Sequence, residues 1–279
     1  MKRIISVQDL SCVGKCSLTV ALPIISAMGV EVSVLPTAVL SCHTAFDDFS
    51  VKDLTGEIKP IGDKLKKQGI SFDAIYTGYL SSEKQAEEVL GFFDKFKNDD
   101  CIVFCDPAMA DNGKLYTGFE NDFIGEMAKV CAKADIIVPN LTEACFLLGK
   151  EYNDGEYKRE EIKKMLGQLC EIGCKTAAVT GISYEEGKVG VAVFQSEIND
   201  YFEFFTEKIG SVYHGTGDVF SSCCVGAIMN GFSIPKAFEI AVKYTAQCVK
   251  ASFENKDRRW YGVDFETAIP MLLKMIGKV

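Results

Sequence analysis

The chain has 279 residues, 48% hydrophobic and 25% charged, which are globular values with enough apolar side chain for a sizeable core. A net charge of −9, with no basic cluster longer than the diluted Lys64-Leu65-Lys66-Lys67, argues against nucleic acid as a partner. The twelve cysteines show CxxxC pairs (Cys12/Cys16, Cys101/Cys105, Cys170/Cys174) but no CxxC spacing and lie mostly in apolar runs, which predicts reduced, buried thiols rather than a disulfide framework.

The N-terminal MKRIISVQDL is too short in its apolar part for a signal segment, and no stretch reaches transmembrane length. The expectation is a cytoplasmic protein with no membrane partner. A first strand is predicted at 3–9, followed by SCVGKCS and a helical pattern. Gly14-Lys15 in that stretch looks like the end of a phosphate-binding P-loop, but Asp9 stands where the first glycine belongs and Cys16 where Ser or Thr belongs, so that reading fails. Strands follow at 32–39 and 74–79. Ser81-Ser82-Glu83 then opens a helix carrying Leu90, Phe93 and Phe96. A strand at 101–106, a helix at 119–133, a strand at 135–140, a helix at 158–173 and a strand at 176–181 continue the alternation. Two strands, 189–194 and 201–205, come without room for a helix between them, and helices at 216–231, 235–253 and 264–276 close the chain.

This alternation predicts an α/β fold with a mainly parallel sheet, helices on both faces, and an antiparallel edge at 189–205. Without repeats, low-complexity tracts or linkers, residues 1–279 read as one domain. Ligands of an open parallel sheet sit beyond the carboxyl ends of its strands. Those ends read Gln8-Asp9, Thr37, Gly78-Tyr79, Asp106-Pro107, Pro139-Asn140 and Thr180-Gly181, which are also ordinary turn residues.

The stretch HGTGDVFSS, His214 to Ser222, is where chemistry is expected. Gly215 and Gly217 permit a sharp turn and a close ligand, and the helix that follows offers free N–H groups and its positive dipole end to an anion. Asp218 in the first turn should be held ionised by that dipole, ready to accept a proton. Donors for a phosphoryl group beside a base for a hydroxyl suit phosphoryl transfer. Read locally, the same residues also make an ordinary capped helix start.

GTGD opening a helix resembles the anion-hole and base motif of the ribokinase superfamily. QDLSCVGKCSLTVALPIISAMG, PTAVLSCHT, TGYL, CDPAM and PNLTEACFL, in that order, are similar to segments of its pyridoxal/pyridoxamine kinase family. The resemblance implies a ribokinase-like three-layer sandwich with no separate lid domain, against the sugar kinases of the superfamily, which add one. It implies an ATP-dependent kinase acting on the 5′-hydroxyl of a B6 vitamer, with ATP as donor, Mg2+, and a homodimer; a monovalent cation stays open. By resemblance, Asp218 is the base, with Gly215, Thr216 and Gly217 forming the anion hole. Ser11, Thr37, His43 and Tyr79 line the substrate pocket, and Asp106, Thr180, Gly181, Gly215 and Gly217 face ATP. Asp106, Asn140 and Glu143 place the metal, largely through water. Each residue keeps a plainer reading: Tyr79 as a strand-end tyrosine, Asn140 with Glu143 as a helix cap. His214 stands where some dual-activity relatives carry cysteine, and DPAM replaces the family's DPVM. The adenine pocket is expected around Val212 and the helix from Pro235. The alternatives are hydroxymethylpyrimidine kinase and a non-catalytic B6- or nucleotide-binding protein.

Overall fold

The computed structural model describes residues 1–154, 157–210 and 213–279. The first strand, β1 (Arg3–Ser11), leads through a loop at 12–17 into α1 (Leu18–Ala27) and then β2 (Glu31–Leu40). There follow β3 (Val51–Asp53), α2 (Thr55–Lys67), β4 (Ala74–Thr77), α3 (Glu83–Phe96) and β5 (Ile102–Cys105). A small hairpin, β6 (Ala110–Asp111) and β7 (Lys114–Leu115), precedes α4 (Asp122–Lys133), β8 (Ile136–Ile137), α5 (Leu141–Leu147) and α6 (Arg159–Glu171). The rest is β9 (Thr176–Ile182), β10 (Lys188–Gln195), β11 (Asp200–Glu207), α7 (Thr216–Met229), α8 (Ile234–Glu254) and α9 (Ile269–Met275).

Nine strands form one sheet in the order β11-β10-β9-β8-β5-β4-β1-β2-β3. Its centre is parallel because each strand there is buried on both faces and must return through a helix. Alternation sends Ile4, Tyr76, Phe104 and Ile136 to the face covered by α1, α7, α8 and α9. It sends Ile5, Ile75, Val103 and Ile137 to the face covered by α2 to α6. The result is a three-layer sandwich.

The antiparallel edge expected at 189–205 is present as β10 and β11. The structure adds a second at the opposite side, where β3 runs antiparallel to β2. Helix α2 escaped the sequence reading because Gly56, Pro60 and Gly62 interrupt it and few of its side chains are buried. The helical pattern read directly after residue 9 begins later, since β1 continues to Ser11 and α1 starts at Leu18. All twelve cysteines are free thiols. Among the described residues no helix is long and apolar enough to cross a membrane.

Candidate active site

The carboxyl ends of β1, β2, β4, β5, β8 and β9 converge with the start of α7. Gly215, at the N-cap of α7, has φ of 78°, the left-handed region that favours glycine. A Cβ there would stand 1.9 Å from the carbonyl oxygen of Lys15. The turn is therefore pressed onto the 12–17 loop, and only glycine allows it. Lys15 in turn buries its ammonium against Asp264 Oδ1 at 2.7 Å and Glu266 Oε2 at 3.0 Å. The Val263 N–H donates to the His214 carbonyl at 3.1 Å, so the chain's last segment braces both loops. Thr216 Oγ1 donates to the Tyr213 carbonyl at 2.6 Å. Gly217 is exposed, and its missing side chain leaves the approach to Asp106 open.

Asp218 is half-buried in the first turn of α7. Burial, then the charges of Asp106 and Asp9, push its carboxyl up to about 8, against the opposing N–H groups of Ser17 and of its own backbone. This corrects the expectation that the helix dipole keeps Asp218 firmly ionised. About half a charge at a helix terminus does not outweigh desolvation and two neighbouring carboxylates.

Asp106, just past β5, accepts a hydrogen bond from Ser221 Oγ at 2.7 Å on its Oδ2. Burial raises its carboxyl, with Ser221 opposing. Glu143 is raised further, by burial and then by Asp106. Asn140 and Glu143 form a reciprocal cap at the start of α5: Asn140 Oδ1 accepts from the Glu143 N–H at 3.0 Å, and Glu143 Oε2 accepts from the Asn140 N–H at 2.8 Å. Glu143 Oε1 also accepts from the Met109 N–H at 3.0 Å, while Asn140 Nδ2 donates to the Ala110 carbonyl at 2.7 Å. Both side chains thus tie the segment after Asp106 to α5. Thr180 bridges to Asn140, and Gly181 turns outward in β9 with φ of 73° and open space where a Cβ would stand.

A hard divalent cation suits the Asp106 side of this cluster. Asp106 Oδ1 has no hydrogen-bond partner among the described residues, and no lysine or arginine there pairs with Asp106, Glu143 or Asp218. No group of three or more His, Cys, Asp or Glu side chains among the described residues could hold a metal directly, so water would complete the shell.

At the end of β1, Ser11 is fully buried and donates to Asp9 Oδ2 at 3.2 Å. Thr37 is buried with its hydroxyl unpartnered. Tyr79 packs on Phe119 at 5.3 Å between ring centres, and burial followed by the charge of Asp9 raises its phenol. His43 is neutral: burial lowers it, its Nε2 donates to the Tyr261 carbonyl at 2.9 Å, and its Nδ1 accepts from the Ala45 N–H at 3.1 Å. It lies 5.6 Å from the exposed His214 ring and near Phe46 and Trp260. The residues expected at the site therefore lie at the carboxyl ends of the strands from β2 to β9 and at the start of α7. Val212 lies outside the described residues.

Ser221 had no reading of its own in the sequence, Lys15 entered only through the failed P-loop match, and Asp9 was placed at the end of the first strand without a role. Asp9 had a signal, because Ile5, Val7 and Asp9 share one face of β1 and the third should have been apolar. Ser221 lies three residues beyond Asp218, on the same side of α7.

Among α/β folds, this sheet order with a glycine turn at the start of a buried helix is that of the ribokinase-like kinases. Residues 30–261 match the sequence family described as phosphomethylpyrimidine kinase. The chain is 30% identical over 245 residues to a pyridoxal kinase of Dictyostelium discoideum, covering 80% of this chain and 77% of that one. It is 29% identical to a pyridoxal kinase of Aliivibrio fischeri, covering 86% and 85%. A Bacteroides thetaiotaomicron protein described as a candidate phosphomethylpyrimidine kinase, crystallised with pyridoxal, superposes with a TM-score of 0.92 at 38% identity, over 97% of this chain and 95% of that one. The pyridoxal kinase of Lactobacillus plantarum superposes at 0.90 with 25% identity, over 99% and 98%. The chain belongs to the phosphomethylpyrimidine kinase family, and within it to the pyridoxal kinases.

Proposed function

We propose that the protein transfers the γ-phosphoryl group of ATP to the 5′-hydroxyl of pyridoxal, pyridoxamine or pyridoxine. The observation that carries the reading is Asp218 in the first turn of α7, behind a glycine turn locked onto the 12–17 loop and near Asp106 and Asp9. Asp218 accepts the hydroxyl proton. Its raised carboxyl suits that work, since a base is most effective when it titrates near the working pH. Backbone N–H groups from Gly215 to Gly217 receive the phosphoryl oxygens, and Thr180 and Gly181 flank the rest of the ATP phosphates. Tyr79 offers a flat face to the substrate ring, while Ser11, Thr37 and His43 shape the pocket around it.

Asp106 would hold Mg2+, with Asn140 and Glu143 acting through water because their polar atoms are spent on backbone groups. Bound there, the ion would neutralise charge on the ATP phosphates. A homodimer and a cytoplasmic location belong to the same proposal.

A second reading, phosphorylation of hydroxymethylpyrimidine, is favoured by the family description; the curated relatives favour B6. A non-catalytic carrier would have no use for a base beside an anion site. The test is ATP- and Mg2+-dependent turnover of pyridoxal, pyridoxamine, pyridoxine and hydroxymethylpyrimidine side by side. Strong turnover of at least one B6 vitamer is expected. Exclusive turnover of the pyrimidine would replace the reading, and silence on all four would end it.

A further inference from the structure

The CxxxC pairs have no part in the transfer just described, and the three fold differently. Cys101 and Cys105 stand at either end of the extended β5, about 13 Å apart, beyond the Cα separation of under about 7 Å that a disulfide spans. Cys16 turns its sulfur to Ser11 Oγ at 3.8 Å, and burial raises its thiol. Cys105 does meet the thiol of Cys131, but both are wholly buried. Among the described residues, CEIGC, Cys170 to Cys174, is the CxxxC pair that brings two thiols together where a reagent can reach one of them.

Cys170 lies half-buried in the last turn of α6, and Cys174 stands just before β9, 3% exposed. The chain between them must reverse within a few residues. Gly173 allows this, with φ of 145° and a Cβ that would stand 2.6 Å from the Ala132 carbonyl oxygen at the end of α4. Its N–H donates to the Cys170 carbonyl at 3.0 Å, which closes the turn. Cys174 Sγ thereby reaches back to the Leu169 carbonyl at 3.5 Å, one residue before Cys170, and lies in hydrogen-bond contact with the Cys170 sulfur. Donation from Cys174 and from the Ala177 N–H draws the Cys170 thiol below its ordinary value, with burial opposing. Cys174 is raised, by Cys170 and then by burial. An accessible low thiol beside a shielded one is the arrangement of a nucleophilic and a resolving cysteine.

We propose that Cys170 and Cys174 form a redox-modification site, at which a small-molecule disulfide converts the two thiols reversibly to an intramolecular disulfide. The Cys170 thiolate attacks one sulfur of the small disulfide, whose S–S bond breaks; a mixed disulfide forms and a small thiolate leaves. Cys174 gives its proton to that thiolate and attacks the Cys170 sulfur. This releases a second small thiolate, which takes up the proton that Cys170 had lost. Two protein thiols are oxidised as one small disulfide is reduced to two thiols, and excess thiol reverses both steps. The pair sits before the amino end of β9, away from the carboxyl ends that carry the proposed kinase residues, so it stands whether or not that activity does.

The experiment treats the folded full chain with glutathione disulfide, alkylates the remaining thiols in denaturant, and maps the tryptic peptide 165–175, which holds both cysteines. In wild type that peptide should escape alkylation and be lighter by two hydrogens than its dithiol, and reduced glutathione should restore both alkylation sites. Cys174→Ser should instead hold glutathione on Cys170, at least about 10-fold above the wild-type level of that adduct, because the resolving thiol is gone. Cys170→Ser should leave Cys174 alkylated. A wild-type peptide that stays a dithiol while exposed Cys12 takes up glutathione, or that stops at a mixed disulfide, overturns the proposal without recourse to any variant. Glutathione on Cys174 in Cys170→Ser, formed as fast as the wild-type disulfide, overturns the assignment of Cys170 as the nucleophile.

Discussion

At the scale of single residues, Asp218 concentrates the cost of the site. Its carboxyl titrates near 8 because it is desolvated beside Asp106 and Asp9. Replacing it by Asn should leave fold and ATP binding intact while lowering turnover about 10²–10⁴-fold, the usual worth of a general base. Near-normal rates in the variant would remove Asp218 from the mechanism. The same shift fixes a stability signature. A carboxyl raised by folding contributes stability below its unfolded value and loses it as pH rises through the folded one. Asp218→Asn should therefore melt a few degrees higher than wild type above about pH 8, with the gap closing toward about pH 4. Thermal melts across that range check this, and a gap that widens toward acid would contradict it. Much of this site was legible in the sequence, because glycine, aspartate and strand-end polar residues occur in an order packing does not require. What stayed hidden was pairing across distance: Ser221 on Asp106, Lys15 under Gly215, and Asp9 facing the β2 bulge depend on contacts that no local pattern encodes.

At the scale of elements, the start of α7 works only because two glycines do different jobs. Gly215 is conformationally required, with φ of 78° and the Lys15 carbonyl where a Cβ would be. Gly217 is merely small, its added Cβ meeting only Asp106 Oδ2 at 4.0 Å. Gly215→Ala should cost about 1–3 kcal/mol and displace the 12–17 loop. Gly217→Ala should hold or raise stability, by up to about 1 kcal/mol from helix propensity, yet lose activity by narrowing the anion mouth. Denaturant melts beside turnover separate the two, and a Gly215→Ala protein as stable as wild type would show that the turn can relax. The elements that sequence reading found carry a clear period or a compact apolar run, β1, β2, α3 and α8 among them. Those it missed carry weak signals. Helix α2 is broken by proline and glycine, β3 has three exposed residues, and the β6–β7 hairpin has two residues per strand.

At the scale of the whole molecule, one sheet joins every strand of the described residues except the small hairpin, and each face carries its own apolar cluster. We propose that the chain unfolds as a single unit, as its reading as one domain implies. Far-UV circular dichroism should then lose signal at the same denaturant concentration as the fluorescence of Trp260, the chain's one tryptophan, which packs on Phe46 near His43. Two separated transitions would divide the chain. The fold class was legible because strand–helix alternation leaves few topologies, whereas the second antiparallel edge was not, since β3 is too short to announce itself. The bond from Lys15 to Asp264 joins positions 249 apart in the chain. A ribosome making this protein delivers every motif residue, from Ser11 to Asp218, before it delivers the brace that holds the glycine turn in place. A growing chain thus emerges with its motifs already written before the contact that braces them can form.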